Sequence, residues 1–260
     1  MNKSYTLEIV MVSMNNVQDF RRSIESIEPL ISNIDRVVIV DSSKNSEIEN
    51  ESKSLSDLEV NIVYQWEEPQ GIYHAMNTGL NLCHDESLVW FLNPGDVAKN
   101  PSLILELKNL IEKSGSRWGY GQSSYDNDFS ACPRLFPDID DNSIYSLFYG
   151  ELQISHQSML VSKETLLELG GFETKFSIAA DLDLQFKLIA DSRPQFLAKH
   201  LIIVDTSGVS HNQQVRTLIE SFIIRYRRKE FPKTKSIFWL FRSVSRRLYH
   251  SKLLRILNAN

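Results

Sequence analysis

The amino-acid sequence is expected to fold as an α/β protein: a mostly parallel sheet flanked by helices, followed by a basic amphipathic helical tail. Three observations carry this expectation. Four short β-branched or aromatic runs recur in the first half, and helical patterns follow the first and third of them. The 260 residues are 42% hydrophobic, enough for one sizeable core. Charge is unevenly divided: from Arg216 onward 12 Lys and Arg stand against Glu220 and Glu230, a balance of +10, while the preceding residues carry 16 basic and 31 acidic side chains, or −15. The expected organisation is therefore a main domain over 1–215 and a tail over 216–260.

Each element has its own warrant. "TLEIVMVS" (Thr6 to Ser13), "DRVVIVD" (Asp35 to Asp41), "EVNIVYQ" (Glu59 to Gln65) and "SLVWFLN" (Ser87 to Asn93) read as strands bounded by polar residues. Phe20, Ile24, Ile27, Leu30 and Ile31 mark one amphipathic helix, and Ala75 to Leu82 another. Strands alternating with helices imply parallel pairing through right-handed crossovers. The ligand crevice of such a sheet lies beyond the carboxyl ends of its strands, which is where Asp41 and Asp96 fall. In the second half, "RWGYGQSSYDND" suggests a glycine-punctuated strand, and Pro133 to Asn142 an acidic loop. "SKETLLELGGF" suggests a short helix capped by Ser162 or Thr165 and ended by Gly170 and Gly171. "SIAADLDLQFKLIA" reads as a further helix or its entrance, and residues 216–260 as one or two helices parted near Pro232.

Composition excludes several classes. The two cysteines, Cys83 and Cys132, support neither a disulfide framework nor a structural zinc site, which favours a reducing compartment, the cytoplasm. The first apolar run is short and contains Glu8, so it reads as a strand rather than a signal peptide. No apolar stretch approaches the roughly 18 residues of a membrane-spanning helix.

Four carboxylates, Asp41, Glu68, Asp96 and Asp181, stand at expected strand ends or helix starts. Each alone would serve equally as a cap or turn residue. Three of them converge on one crevice if the sheet is parallel, where they would hold a divalent cation and hydrogen-bond a sugar or base. A Pro-Gln-Gly turn enters the helix after Glu68, and Gly71 and Gly79 permit close backbone approach.

Three blocks in order, "PQGIYHAMNTGL", "VWFLNPGD" and "ISHQSMLVSKETLLELGGFETKFSIAADLDLQFKL", resemble the family 2 glycosyltransferases of the GT-A fold, especially bacterial polysaccharide-assembly members of the colanic acid type. The resemblance runs from about Leu7 to His211. It implies an inverting transferase that moves sugar from a nucleoside diphosphate donor, UDP-linked, to a glycan or lipid-linked saccharide, with Mn2+ or Mg2+ as cofactor. Asp96 takes the place of the metal-binding acid of the family's DxD-like turn, and Asn93 stands where many relatives have the first acid. Asp41 matches the aspartate that contacts the nucleoside, and Ser13 to Asn15 the nucleotide-facing loop. Glu68, Gly71 and Asn77 fall on the donor side, with His74 where relatives carry an Asp. Asp181 matches the general base, with Ala180 replacing its partner acid. Asp183 points about 200 degrees away on a helix and reads as structural. His156 matches a histidine that contacts diphosphate or acceptor, or else is a satisfied core residue. His211 follows a "GGxS"-like loop and would either reach the metal or diphosphate or bond a loop carbonyl.

In the tail, Ile237, Leu240, Phe241, Val244 and Leu248 recur at helical spacing, flanked by Arg242, Arg246 and Arg247. The stripe either packs against the main domain or lies on an anionic membrane. Phe238, Trp239 and the +10 balance favour the membrane, and with it peripheral attachment at the inner face. A nucleic-acid partner is disfavoured by the −15 body. A catalytically silent module that binds a nucleotide sugar or a partner enzyme is the competing reading, supported by Asn93 and His74.

Overall fold

The structure, a computed structural model, describes residues 4–55, 60–125, 143–152, 154–205 and 213–257. Two compact units make up the chain, Met1–Thr206 and Ser207–Asn260.

The first unit is built on an eight-stranded sheet. Strands β1 (Thr6–Ser13), β2 (Arg36–Asp41), β3 (Asn61–Trp66) and β4 (Ser87–Phe91) form its parallel half in the order β3-β2-β1-β4. The near-continuous apolar runs of β1, β2 and β4 follow from helices covering both faces, whereas β3, at the sheet edge, is half-exposed. On one face, helix α1 (Val17–Ile27) sends Phe20, Ile24 and Ile27 into a core with Ile9, Met11, Val37 and Ile39. Helix α2 (Glu47–Ser54) links β2 to β3. Helix α3 (Ile72–Leu82) packs on the opposite face, where the alternate residues Val10 and Val40 point. The approach is so close that a Cβ at Gly79 would lie 2.4 Å from Val10 Cγ1. Gly79 thus sets how near α3 sits to the sheet, and with it the position of the Tyr73 and His74 side chains.

The second half is mixed, which qualifies the expected parallel sheet. It comprises β5 (Val97–Ala98), helix α4 (Ser102–Ser114), β6 (Trp118–Tyr125), α5 (Ser143–Tyr149), β7 (Met159–Ser162), α6 (Lys163–Glu168), α7 (Ala180–Asp191) and β8 (Gln195–Val204). The sheet continues from β4 as β7-β6-β8-β5, with β7 antiparallel to both β4 and β6, and β5 antiparallel to β8. Only β6 and β8 pair in parallel in this half. Ser162 caps α6 as its sequence suggests, its hydroxyl accepting the Thr165 N–H at 3.2 Å. Gly170 and Gly171 leave that helix with φ of 82° and 64°, in the left-handed region that favours glycine. The segment Pro133 to Asn142, Cys132 and His211 lie outside the described residues.

The second unit contains α8 (Gln214–Arg227) and α9 (Lys233–Leu257), parted around Pro232. The change in charge at Arg216 falls inside α8, so the break between compact units precedes the break in composition. In α9 the apolar residues divide between two faces. Trp239 is buried, with the Arg225 guanidinium 4.0 Å from its ring centroid, while Ile237, Phe238, Phe241 and Val244 are exposed. Trp239 is therefore a packing residue of the helix pair, which corrects the expectation that it favours the membrane. Among the described residues no helix is long and apolar enough to cross a membrane.

Candidate active site

The site begins where β4 stops. Leu92 still donates its N–H to Val10 O, but Pro94 cannot donate and Gly95 has φ of 99°, so the chain turns, closed by Asp96 N–H to Asn93 O at 3.1 Å. The buried Ser23 of α1 clamps this turn. Its hydroxyl accepts the Gly95 N–H at 2.9 Å and donates to Asp96 O at 2.7 Å. Gly95 N–H also reaches Asp19 O, and Arg22 donates to Gly95 O. Space is short as well: a Cβ at Gly95 would sit 3.0 Å from an Asp205 carboxylate oxygen.

The clamp aims Asp96 inward. Its side chain is 2% exposed; Oδ1 accepts the Asp205 N–H at 2.9 Å, while Oδ2 is buried without a hydrogen-bond partner. Asn93 Oδ1 and, at the end of β1, Ser13 Oγ are likewise buried and unpartnered. Of the seven such side-chain atoms among the described residues, these three lie at the carboxyl ends of β1 and β4. Buried polar atoms are normally paired, so water, an ion or a ligand would complete the bonding at these strand ends. The donor set fits a hard cation, which takes oxygen ligands. Among the described residues no group of three or more His, Cys, Asp or Glu gathers to hold a metal by itself, and Asp96 with Asn93 offers only two oxygens. Burial pushes the Asp96 carboxyl up to about 6, and the neighbouring Asp205 charge adds to the rise. The Asp205 N–H, His156 and the nearby Gln157 amide pull the other way, although Gln157 closes no hydrogen bond to Oδ2.

A second group of side chains adjoins the turn. The buried Trp90 of β4 donates its indole N–H to Gln157 O at 2.7 Å, which fixes the single 3-10 turn His156–Ser158. His156 is thereby held between two residues singled out in the sequence. Its Nε2 lies 3.1 Å from Asn93 Nδ2, and its Nδ1 3.7 Å from Asp181 Oδ2. As the Asn93 amide is placed, its nitrogen donates to Nε2, which leaves Nδ1 as the ring N–H facing the carboxylate. Asp181 sits in the first turn of α7, a favourable place for negative charge. Its Oδ1 accepts the Leu182 N–H at 2.9 Å and the Tyr73 hydroxyl at 3.3 Å. The single Tyr73 proton goes chiefly to Ile178 O at 2.7 Å, the Asp181 contact being the weaker branch, and the ring stacks on Phe172, which meets Phe91 edge-on. The side chain of Asp181 remains 29% exposed, so a hydroxyl from solution can approach it.

The ends of β1 and β2 form the third part. Asp41 is fully buried; Oδ1 accepts both the N–H and the hydroxyl of Ser43, and Oδ2 accepts the Tyr64 hydroxyl at 2.9 Å. Burial, then the bond to Asp41, keeps that phenol protonated by raising its pKa. Asn15, with φ of 56°, donates its N–H to Ser43 Oγ at 2.7 Å and accepts the Lys44 N–H at 3.1 Å. Asp41 and Asn15 thus brace the mouth of the crevice.

Other donor-side expectations meet a different arrangement. Glu68 is exposed, whereas its neighbour Glu67 turns to α3, bonding His74 Nδ1 at 3.2 Å and the Thr78 hydroxyl at 2.8 Å. Both ends of the Asn77 amide are taken by the backbone of Phe172, so this side chain holds the glycine turn. Gly71, with φ of 105°, opens α3 where an L side chain would be strained. Asp205, Ser23, Tyr73 and Glu67 were not singled out by the sequence.

No family model matches the chain. It is similar to an uncharacterized glycosyltransferase of Mycobacterium tuberculosis, found in two strains: 24% identical over 220 residues, covering 82% of this chain and 80% of the relative. Among solved structures it is similar to Staphylococcus aureus TarS 1–349 in complex with UDP, with a TM-score of 0.62 and 14% identity over 90% of this chain and 69% of that one. The chain spans 42% of the longer TarS structure. It is also similar to the mannosyltransferase PcManGT from Pyrobaculum calidifontis, in complex with GDP-Man and Mn2+, with a TM-score of 0.61 and 15% identity over 91% of this chain and 70% of that one. The fold is that of the GT-A-like glycosyltransferases, and the chain is an enzyme of the glycosyltransferase class.

The buried Asp96 gives a pH dependence of stability. Below about pH 4 its carboxyl is protonated in folded and unfolded chains alike, and between about 4 and 6 only the folded chain keeps the proton. Stability therefore falls as pH rises through this window, by about 3 kcal/mol, because above it a buried charge persists in the folded state. Denaturant unfolding of metal-free protein should show this fall for the wild type and not for Asp96→Asn, whose amide oxygen still accepts from Asp205. Parallel pH profiles for the two proteins would contradict the assignment.

Proposed function

We propose that the chain is an inverting, metal-dependent glycosyltransferase that moves one sugar from a UDP-linked donor to a hydroxyl of a glycan or lipid-linked saccharide in surface polysaccharide assembly. The observation that carries this reading is the pair of buried, unpartnered oxygens, Asn93 Oδ1 and Asp96 Oδ2, held one histidine away from Asp181. The UDP complex of TarS and the GDP-Man and Mn2+ complex of PcManGT support the choice of donor class and cation.

Asp96 and Asn93 would hold a Mn2+ or Mg2+ ion. Such an ion, when bound, neutralises charge developing on the departing diphosphate. The protein's own residues account for the rest. Asp181 accepts the proton of the acceptor hydroxyl as that oxygen bonds to the anomeric carbon. The bond from that carbon to the diphosphate oxygen breaks on the opposite face, and its electron pair leaves with the nucleoside diphosphate. His156 and Tyr73 keep the Asp181 carboxylate facing the acceptor, and Asp41 acts by positioning the loop that carries Ser43 and Asn15. The basic second unit supplies attachment to an anionic membrane, a reading supported by the exposed Ile237, Phe238, Phe241 and Val244 beside Lys and Arg. Its chemistry suits an acceptor carried at the cytoplasmic face. His211 would be a further ligand of the metal or diphosphate.

Two outcomes test these roles. Asp181→Asn is nearly isosteric but a poor proton acceptor, so sugar transfer should slow by about 100-fold or more while calorimetric UDP affinity stays near wild type. Unchanged turnover would remove the base assignment. In flotation with phosphatidylglycerol vesicles, replacing Phe238 and Phe241 together by Ser should leave most protein unbound, with donor turnover intact. Equal vesicle binding by the wild type and this double variant would show that the exposed face is not what meets lipid.

A further inference from the structure

The four tryptophans occupy different environments. Trp90 and Trp118 are fully buried and Trp239 is 8% exposed, but Trp66 is 47% exposed. Large apolar residues are exposed elsewhere in the chain too, but Trp66 leaves its indole half in water beside the ends of β2 and β3. The geometry adds that Trp66 is not a loose side chain. Its indole N–H donates to Ser43 O at 2.9 Å. Ser43 in turn donates to Asp41 and accepts from Asn15, so the ring is tied to the residues that brace the crevice mouth.

Strand register places it there as well. Trp66 is the last residue of β3 and pairs with Asp41, the last residue of β2. Paired residues send their side chains to the same face of a sheet, so indole and carboxylate emerge side by side at its carboxyl edge. The N–H edge is occupied by Ser43, which leaves the carbon rings to meet solvent. Asp41 has both oxygens engaged by Ser43 and Tyr64 and brings no free hydrogen-bonding edge to a ligand. What this corner of the crevice offers is a fixed, flat, apolar surface beside a polar rim.

We infer that Trp66 is the stacking platform for the nucleobase of the sugar donor. The inference rests on the proposed reading of the crevice as a nucleotide-sugar site and names a further binding residue within it. Stacking on an indole is open to any base, because every base has a π-face. It therefore holds the nucleoside without dictating the base, and discrimination between bases falls to other contacts.

The three buried tryptophans also emit, so the Trp66 signal is read as the difference between wild type and Trp66→Phe, in the UDP-dependent change alone. Intrinsic fluorescence of the full chain should be quenched by UDP with Mn2+ and not by inorganic diphosphate with Mn2+. Trp66→Phe should abolish the quench while calorimetry shows UDP still bound within a few-fold of wild type, since a phenyl ring also stacks. Trp66→Ala should bind UDP and GDP roughly tenfold or more weakly, with an unchanged far-UV circular dichroism spectrum. Quenching that survives in Trp66→Phe, or UDP affinity unaltered in Trp66→Ala, overturns the assignment and leaves the donor site standing. Absence of calorimetric binding of both nucleotides to the wild type would remove the nucleotide-sugar reading and this inference together.

Discussion

One hydroxyl organises the chemistry of this protein. Ser23, buried on α1, accepts from Gly95 and donates to Asp96 O, and so fixes the turn that ends β4. A free β-strand end would let Asp96 swing toward water, where a carboxylate is best solvated. The clamp instead keeps it inside, with one oxygen bonded to the Asp205 backbone and one left without a partner. Burying a carboxylate in this way is unfavourable, and its raised pKa records the cost. Such a group makes physical sense when a cation completes its surroundings.

The same turn joins the two sides of a transfer site. Asn93, at its start, touches His156, and His156 faces Asp181 at the head of α7. Trp90, three residues earlier on the same strand, holds the 3-10 turn that carries His156. One strand therefore positions the proposed diphosphate-facing oxygens and, through a single ring, the proposed base. Across the sheet, β1 and β2 end in a separate network of Asn15, Ser43 and Asp41, to which the Trp66 indole is tied. A donor lying over the carboxyl edge would span both networks, base at one end and sugar at the other.

Much of this arrangement could be read from the sequence because it depends on local pattern. The β-branched runs and their polar ends gave the four parallel strands, and those strand ends in turn located Asp41, Asn93 and Asp96. Where pairing is non-local, the pattern was silent: β7 and β8 are short or amphipathic, and nothing in their residues states that β7 runs antiparallel to β4. Glu67 and Glu68 are adjacent acids, and which one turns to α3 depends on the exit from β3, a matter the sequence does not specify. Ser23 looks like an ordinary helix residue until the turn after β4 is laid against it. In α9, apolar residues lie on both faces of the helix, so spacing alone did not reveal that Trp239 packs on Arg225 while Phe241 stays exposed.

The central claim is that the half-satisfied carboxylate at the end of β4 receives a cation together with a nucleoside diphosphate. Electron paramagnetic resonance of Mn2+ addresses it directly, because the sharp signal of the free aqua ion broadens away on binding. In a titration of wild-type protein and Asp96→Ala with Mn2+ and UDP, corrected for Mn2+ bound by UDP alone, the account predicts uptake by the wild type that depends on UDP and is lost in the variant. Equal uptake by the two proteins, with Asp96→Ala still folded, would contradict it.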